Sequence, residues 1–161
     1  MKLLRHGAKG AERPGVLATD GTIRDLSGMV ADIAGTALLP QALARLSAID
    51  ATGLPEVDPG TRLGACVGSV GKFIAVGLNY ADHAAESGLP IPAEPILFSK
   101  ATSSLSGPND DVVIPRGSDR LDWEAELAVV IGRPGVYIDE DRALEHVAGY
   151  CVCNDVSERS F

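Results

Sequence analysis

The first clear alternation of apolar and polar residues runs through Gly15-Val16-Leu17-Ala18-Thr19, then Asp20-Gly21, then Thr22-Ile23-Arg24-Asp25-Leu26. An Asp-Gly pair between two β-prone runs predicts a hairpin with a two-residue turn. The period then changes. Over residues 40–49 a leading Pro40 precedes Leu43, Leu46 and Ile49 on one side, which predicts an amphipathic helix. Residues 50–60 contain Gly53, Pro55, Pro59 and Gly60, the punctuation of a linker. A small β-rich N-terminal domain with one helix is therefore expected over residues 1–60, and a second domain over 61–161.

In the second segment, residues 72–77 read as a short apolar strand, followed by a helix opening at Asn79. Asn79 is a suitable N-cap, Asp82 forms a loose capping box, and Gly88 with Pro90 stops the helix. Strands are expected at 95–100, 112–115, 122–131 and 149–153, a turn at 106–110 and a helical pattern at 139–147. The fold class is α+β, mostly β, with no internal repeat.

Composition narrows the function classes. The 161 residues are 45% hydrophobic and 22% charged, the balance of a soluble globular domain, with a formal charge of −8. Almost all of that excess lies beyond residue 60, where 8 basic side chains face 15 acidic ones. An acidic surface repels phosphate backbones and anionic lipid, so neither nucleic acid nor a membrane is an expected partner. No apolar run approaches the roughly 20 residues of a membrane span. Residues 1–7 lack the apolar stretch of a signal peptide, so a cytoplasmic location is expected. Cys66, Cys151 and Cys153 are odd in number and contain no CxxC pair. They read as small hydrophobes rather than a disulfide framework or a zinc ribbon.

The informative stretch is Asp122-Trp123-Glu124-Ala125-Glu126-Leu127-Ala128-Val129-Val130-Ile131. A strand places Asp122, Glu124 and Glu126 on one face at about 7 Å intervals. Like charges this close destabilise a strand unless solvent or a cation offsets them. A solvated sheet edge is one reading. The other is a metal site, supported because the same face turns apolar at Ala128 and Val130. Carboxylate ligands suit hard divalent ions, Mg²⁺, Mn²⁺ or Ca²⁺, rather than zinc. Asp155, at the end of an apolar strand, is the candidate third ligand. If 154–159 turns helical, Arg159 lies one turn beyond Asp155, either balancing acid charge or holding an anionic group.

His83 and Glu86 are three apart on the short helix. A carboxylate beside an imidazole raises its basicity, as deprotonation of water requires, although such pairs also occur on solvated helices. His6 and His146 have no such company and read as structural or exposed. Gly71-Lys72 lacks the spacing and hydroxyl of a phosphate loop, and no GxGxxG is present.

The segments Gly77-Leu78-Asn79-Tyr80-Ala81-Asp82-His83-Ala84-Ala85-Glu86, Phe98-Ser99-Lys100, Asp122 to Leu127 and Asn154-Asp155-Val156-Ser157-Glu158-Arg159 together resemble the fumarylacetoacetate hydrolase family. The resemblance runs from about Gly68 onward, with residues 1–60 similar to the variable N-terminal domain of bacterial members. It is closest to members described as ureidoglycolate lyases or hydrolases of 2,4-diketo-3-deoxy sugar acids. The resemblance implies a mixed β-roll and a homodimer. It implies a divalent metal, Mg²⁺ first, on Glu124, Glu126 and Asp155. It also implies a water-activating pair, His83 and Glu86, with substrate contacts from Tyr80, Lys100 and Arg159. The implied reaction is hydrolytic C–C cleavage of a small 2-oxo acid through a metal-stabilised enolate. Ureidoglycolate lyase, decarboxylase and isomerase activities are alternatives on the same site, and a non-catalytic interaction module is the alternative from another class. Family members continue beyond position 161, so the sequence is expected to hold the first half of the catalytic domain.

Overall fold

The computed structural model describes residues 1–160. Strands β1 (Lys2–His6), β2 (Arg13–Leu17) and β3 (Ile23–Asp25) form an antiparallel sheet in the order β1-β2-β3. The expected hairpin is present, but its loop is longer than two residues because Leu17 pairs with Ile23. Asp20 closes the loop by accepting the Thr22 amide at 2.9 Å and the Thr22 hydroxyl at 2.6 Å. Gly21, at φ +83°, supplies the left-handed residue the turn requires.

Helix α1 (Pro40–Ser47) begins at the proline, whose missing N–H has no partner to lose there, and buries Ala42 and Leu46. Leu46 joins Val16, Leu26, Ile33 and Leu38 in the core.

Contacts divide the chain into two compact units, residues 69–106 and the remainder. Residues on either side of residue 60 lie in the same compact unit. The segment that reads as the start of a second domain is bonded back to the first: Arg62 O accepts the Gly7 amide at 2.8 Å. The Gly64 amide donates to Arg5 O at 2.9 Å and the Gly68 amide to Ile33 O at 3.0 Å. Arg62 also clasps Asp110 through Nε at 2.7 Å and Nη2 at 2.6 Å, and reaches Glu12 at 3.0 Å. The guanidinium holds the Asp110 carboxyl down at about 2, helped by the Gly107 amide. These contacts fasten the 107–110 turn to the N-terminal sheet.

The larger unit also contains β6 (Leu121–Asp122), β7 (Ala125–Ile131), β8 (Val147–Asn154) and β9 (Ser157–Glu158). β7 pairs antiparallel with β8, and β6 with β9. The expected strand at 122–131 is thus broken at Trp123–Glu124, where pairing passes from β9 to β8. Residues 139–147 form a 3₁₀ run, Glu140–His146, rather than an α-helix. Residues 112–115, expected as a strand, form none: an apolar run makes a strand only where a partner edge is available, and these residues stand exposed.

The β7–β8 ladder rests on the core through Val130 and Ala148. Gly132 passes so close to the Leu38 carbonyl that a side chain there would collide with it. The opposite face of the ladder is open: Leu127, Val129, Ile131, Tyr150 and Val152 are all exposed, Val152 at 88%.

The smaller unit pairs β4 (Phe73–Gly77) antiparallel with β5 (Ile96–Lys100), with α2 (Ala81–Glu86) between them in sequence. The N-cap of α2 is Tyr80, not Asn79, and no side chain caps it. Asp82 accepts the adjacent His83 amide at 2.9 Å instead of closing a capping box. Gly88, at φ +66°, ends the helix as expected, and the Leu89 amide reaches back to Ala84 O at 2.9 Å. The chain is mostly β with short helices and small, unclosed sheets. Among the described residues no helix is long and apolar enough to cross a membrane.

Candidate functional site

Three predicted carboxylates lie on the β7–β8 ladder or at its mouth. The register pairs Glu126 with Cys153 and Ala125 with Asn154. One step further out, the Asp155 amide donates to Glu124 O at 2.9 Å and Asn154 Oδ1 accepts the Glu124 amide at 3.0 Å. Residues opposite one another on an antiparallel pair share a face, and alternate residues along a strand do too. Glu124, Glu126, Cys153 and Asp155 therefore project to one side. That side is half-buried, whereas Leu127, Val129 and Val152 on the other are exposed. The Cys153 thiol registers the grouping: burial pushes its pKa up, and Asp155 and Glu126 both push it further.

Arg159 reaches one of these carboxylates, Glu124, together with Asp122, by a route the sequence did not show. The 154–159 run is not helical. Strand β9 pairs Ser157 with Asp122, and the Arg159 amide donates to Arg120 O at 3.0 Å. From there the guanidinium bonds Asp122 Oδ2 through Nη2 at 3.1 Å and Nε at 3.3 Å, and Nη2 also contacts Glu124 Oε1 closely. Glu124 first and Asp122 second raise the Arg159 pKa. Arg159 thus offsets two of the three like charges, those of Asp122 and Glu124.

Oxygen donors of this type and register fit a hard divalent ion. The side chains are not gathered as a ready-made centre, since among the described residues no three His, Cys, Asp or Glu groups converge on one point. Glu124 Oε1 is engaged by Arg159.

The cysteines, read from the sequence as small hydrophobes, are all three free and half-buried. Cys151 lies against Cys66, and burial with that neighbour raises its thiol pKa to about 12. His6, the last residue of β1, is buried with Nε2 3.7 Å from Asp25 Oδ2, a carboxylate neighbour the sequence did not reveal. His146 is also buried, its Nδ1 3.0 Å from Arg133 O, a bond that fixes the end of the 3₁₀ run.

In the smaller unit, Tyr80, His83 and Glu86 are all exposed along α2 and its N-terminus. Leu78, in the turn entering this helix, holds φ +49°, a left-handed conformation that is strained for leucine. Lys100, at the end of β5, stands with Nζ 5.7 Å from the Phe98 ring centroid, within cation–π range. A separate cavity of about 450 Å³, lined by Met29, Asp32, Thr36, Gln41 and Arg45 among others, contains none of the predicted residues.

Residues 72–161 match the fumarylacetoacetate (FAA) hydrolase C-terminal family. The whole chain is 61% identical to a Burkholderia multivorans protein provisionally named a hydrolase, and spans 57% of that relative's length. Among solved structures, it is similar to a fumarylacetoacetate hydrolase from psychrophilic Exiguobacterium antarcticum, at 35% identity and a TM-score of 0.73. That match covers 99% of this chain and 57% of the other. A probable 2-hydroxyhepta-2,4-diene-1,7-dioate isomerase from Mycobacterium abscessus matches at 36% identity and a TM-score of 0.70, over 99% of this chain and 53% of the other.

Proposed function

The chain belongs to the fumarylacetoacetate hydrolase family, and from that premise we propose that it carries the metal-binding part of a hydrolase that cleaves a C–C bond in a small 2-oxo (2,4-diketo) acid. The observation that carries the proposal is the β7–β8 register, which sets Glu124, Glu126 and Asp155 on one half-buried face. These residues would hold the ion, Mg²⁺ by preference, with Mn²⁺ or Ca²⁺ as substitutes. When bound, a divalent ion supplies Lewis-acid polarisation of neighbouring substrate oxygens.

The remaining work falls to side chains. On α2, His83 accepts a proton from water at a ring nitrogen, and Glu86, one turn on, stabilises the imidazolium that results. Lys100 and Arg159 supply positive charge for an anionic substrate, and Tyr80 a hydroxyl. The same reading includes a homodimer and a cytoplasmic setting.

Isomerisation is the second reading, favoured by the likeness to the Mycobacterium abscessus protein. A substrate panel with Mg²⁺ or Mn²⁺ separates the two. Acylpyruvates and 2,4-diketo-3-deoxy sugar acids should be split into two acids. Consumption of ureidoglycolate without any acylpyruvate, or conversion of a substrate to an isomer of unchanged mass, would overturn the hydrolase assignment.

A further inference from the structure

The stretch from Asp122 to Glu126 presents three carboxylates, yet their surroundings differ. Asp122 is fully engaged: Oδ1 accepts the Trp123 amide at 2.9 Å, and Oδ2 accepts two bonds from Arg159 at 3.1 and 3.3 Å. Glu124 offers only Oε1 to Arg159. The backbone decides which bond is durable. β9 pairs Ser157 with Asp122 and ties the Arg159 amide to Arg120 O at 3.0 Å, so the arginine is anchored beside Asp122. Glu124 lies past the break at which pairing passes to β8 and takes no part in the β6–β9 pairing.

We propose that Asp122 is a positioning residue that retains Arg159 when Glu124 leaves it for a divalent cation. In the metal-free state Arg159 bridges both carboxylates and offsets their repulsion. On cation binding Glu124 turns to the ion while Arg159 stays on Asp122, so the guanidinium neither follows Glu124 nor competes for it. Exposed ion pairs of this kind are weak, so the exchange alters affinity by several-fold, up to about tenfold. The proposal rests on the metal reading given above.

The test is Mn²⁺ affinity by calorimetry at about 0.3 M salt, where long-range charge effects are screened. The proteins are the wild type, Asp122→Asn, Arg159→Gln, the double variant and Asp122→Glu, each checked for its fold by circular dichroism. Arg159→Gln should bind Mn²⁺ up to about tenfold more tightly, because the competitor for Glu124 is gone. Asp122→Asn should bind several-fold more weakly, because Arg159 then has Glu124 alone, and Asp122→Glu should restore most of the affinity. The double variant should match Arg159→Gln within about twofold, because Asp122 acts only through Arg159. If Asp122→Asn weakens binding equally with and without Arg159, Asp122 acts by its own charge or as a ligand, and the hand-over is overturned while the metal site stands. Absence of Mn²⁺ binding in every protein overturns the metal reading and the hand-over together.

Discussion

Replacing Ile33 with alanine tests whether the carboxylate ladder depends on the N-terminal core. Ile33 is 1% exposed and lies in one cluster with Val16, Leu26, Leu38 and Leu46, against which Val130 of β7 and Ala148 of β8 pack. The substitution removes three carbons at roughly 0.8 kcal/mol each, about 2.5 kcal/mol of transfer free energy. Incomplete collapse of the cavity brings the total to about 3–4 kcal/mol. A domain stable by about 5–15 kcal/mol survives that loss but opens far more often. Hydrogen exchange read peptide by peptide is the assay. Slow amides in β1–β3 and in β7–β8 should lose protection by the same factor, because residues 1–68 and the ladder form one compact unit. If β1–β3 loosens while β7–β8 keeps its protection, the ladder does not rest on this core and the reasoning fails.

Two further outcomes follow from close contacts in the same unit. Gly132→Ala drives a Cβ into the Leu38 carbonyl and to 2.7 Å from the Ala148 Cβ, so thermal melting should show a loss of about 1–3 kcal/mol; an unchanged melting temperature would mean the two segments are further apart than described. Asp110, held at about 2 by Arg62 against an ordinary value of 3.8, contributes stability that is fully present above pH 3.8 and lost as pH falls towards 2. Arg62→Gln should therefore reduce stability at neutral pH and flatten its fall over that acid range, as measured by urea unfolding at a series of pH values. A variant with the same acid profile as the wild type would remove Arg62 from that role.

The local parts of the fold were legible because their signals are local. Asp20-Gly21 marks a turn whatever surrounds it, Pro40 fits the first turn of α1, and Gly88 ends α2 through its own φ. Alternation along 122–131 correctly sorted Glu124 and Glu126 from Trp123 and Leu127. What failed depended on partners distant in sequence. The 112–115 run has the composition of a strand but gains no neighbouring edge. The bonds of Arg62, Gly64 and Gly68 back to Gly7, Arg5 and Ile33 likewise have no local signal in residues 50–60. Arg159 reaches Asp122 and Glu124 through the pairing of β9 with β6, a contact between segments more than 30 positions apart, and not through a helical turn from Asp155. The proximity of Cys66 to Cys151, 85 positions along the chain, has no local signature at all.

The central claim is that the face bearing Glu124, Glu126 and Asp155 binds a divalent metal ion, and thermal melting with and without Mg²⁺ tests it most directly. The wild type should melt at a higher temperature as Mg²⁺ is raised, because an ion that binds only the folded chain stabilises it by mass action. His83→Ala should keep that rise, and Glu126→Gln should abolish it. A wild type indifferent to Mg²⁺, or a Glu126→Gln variant that responds as the wild type does, would contradict the account.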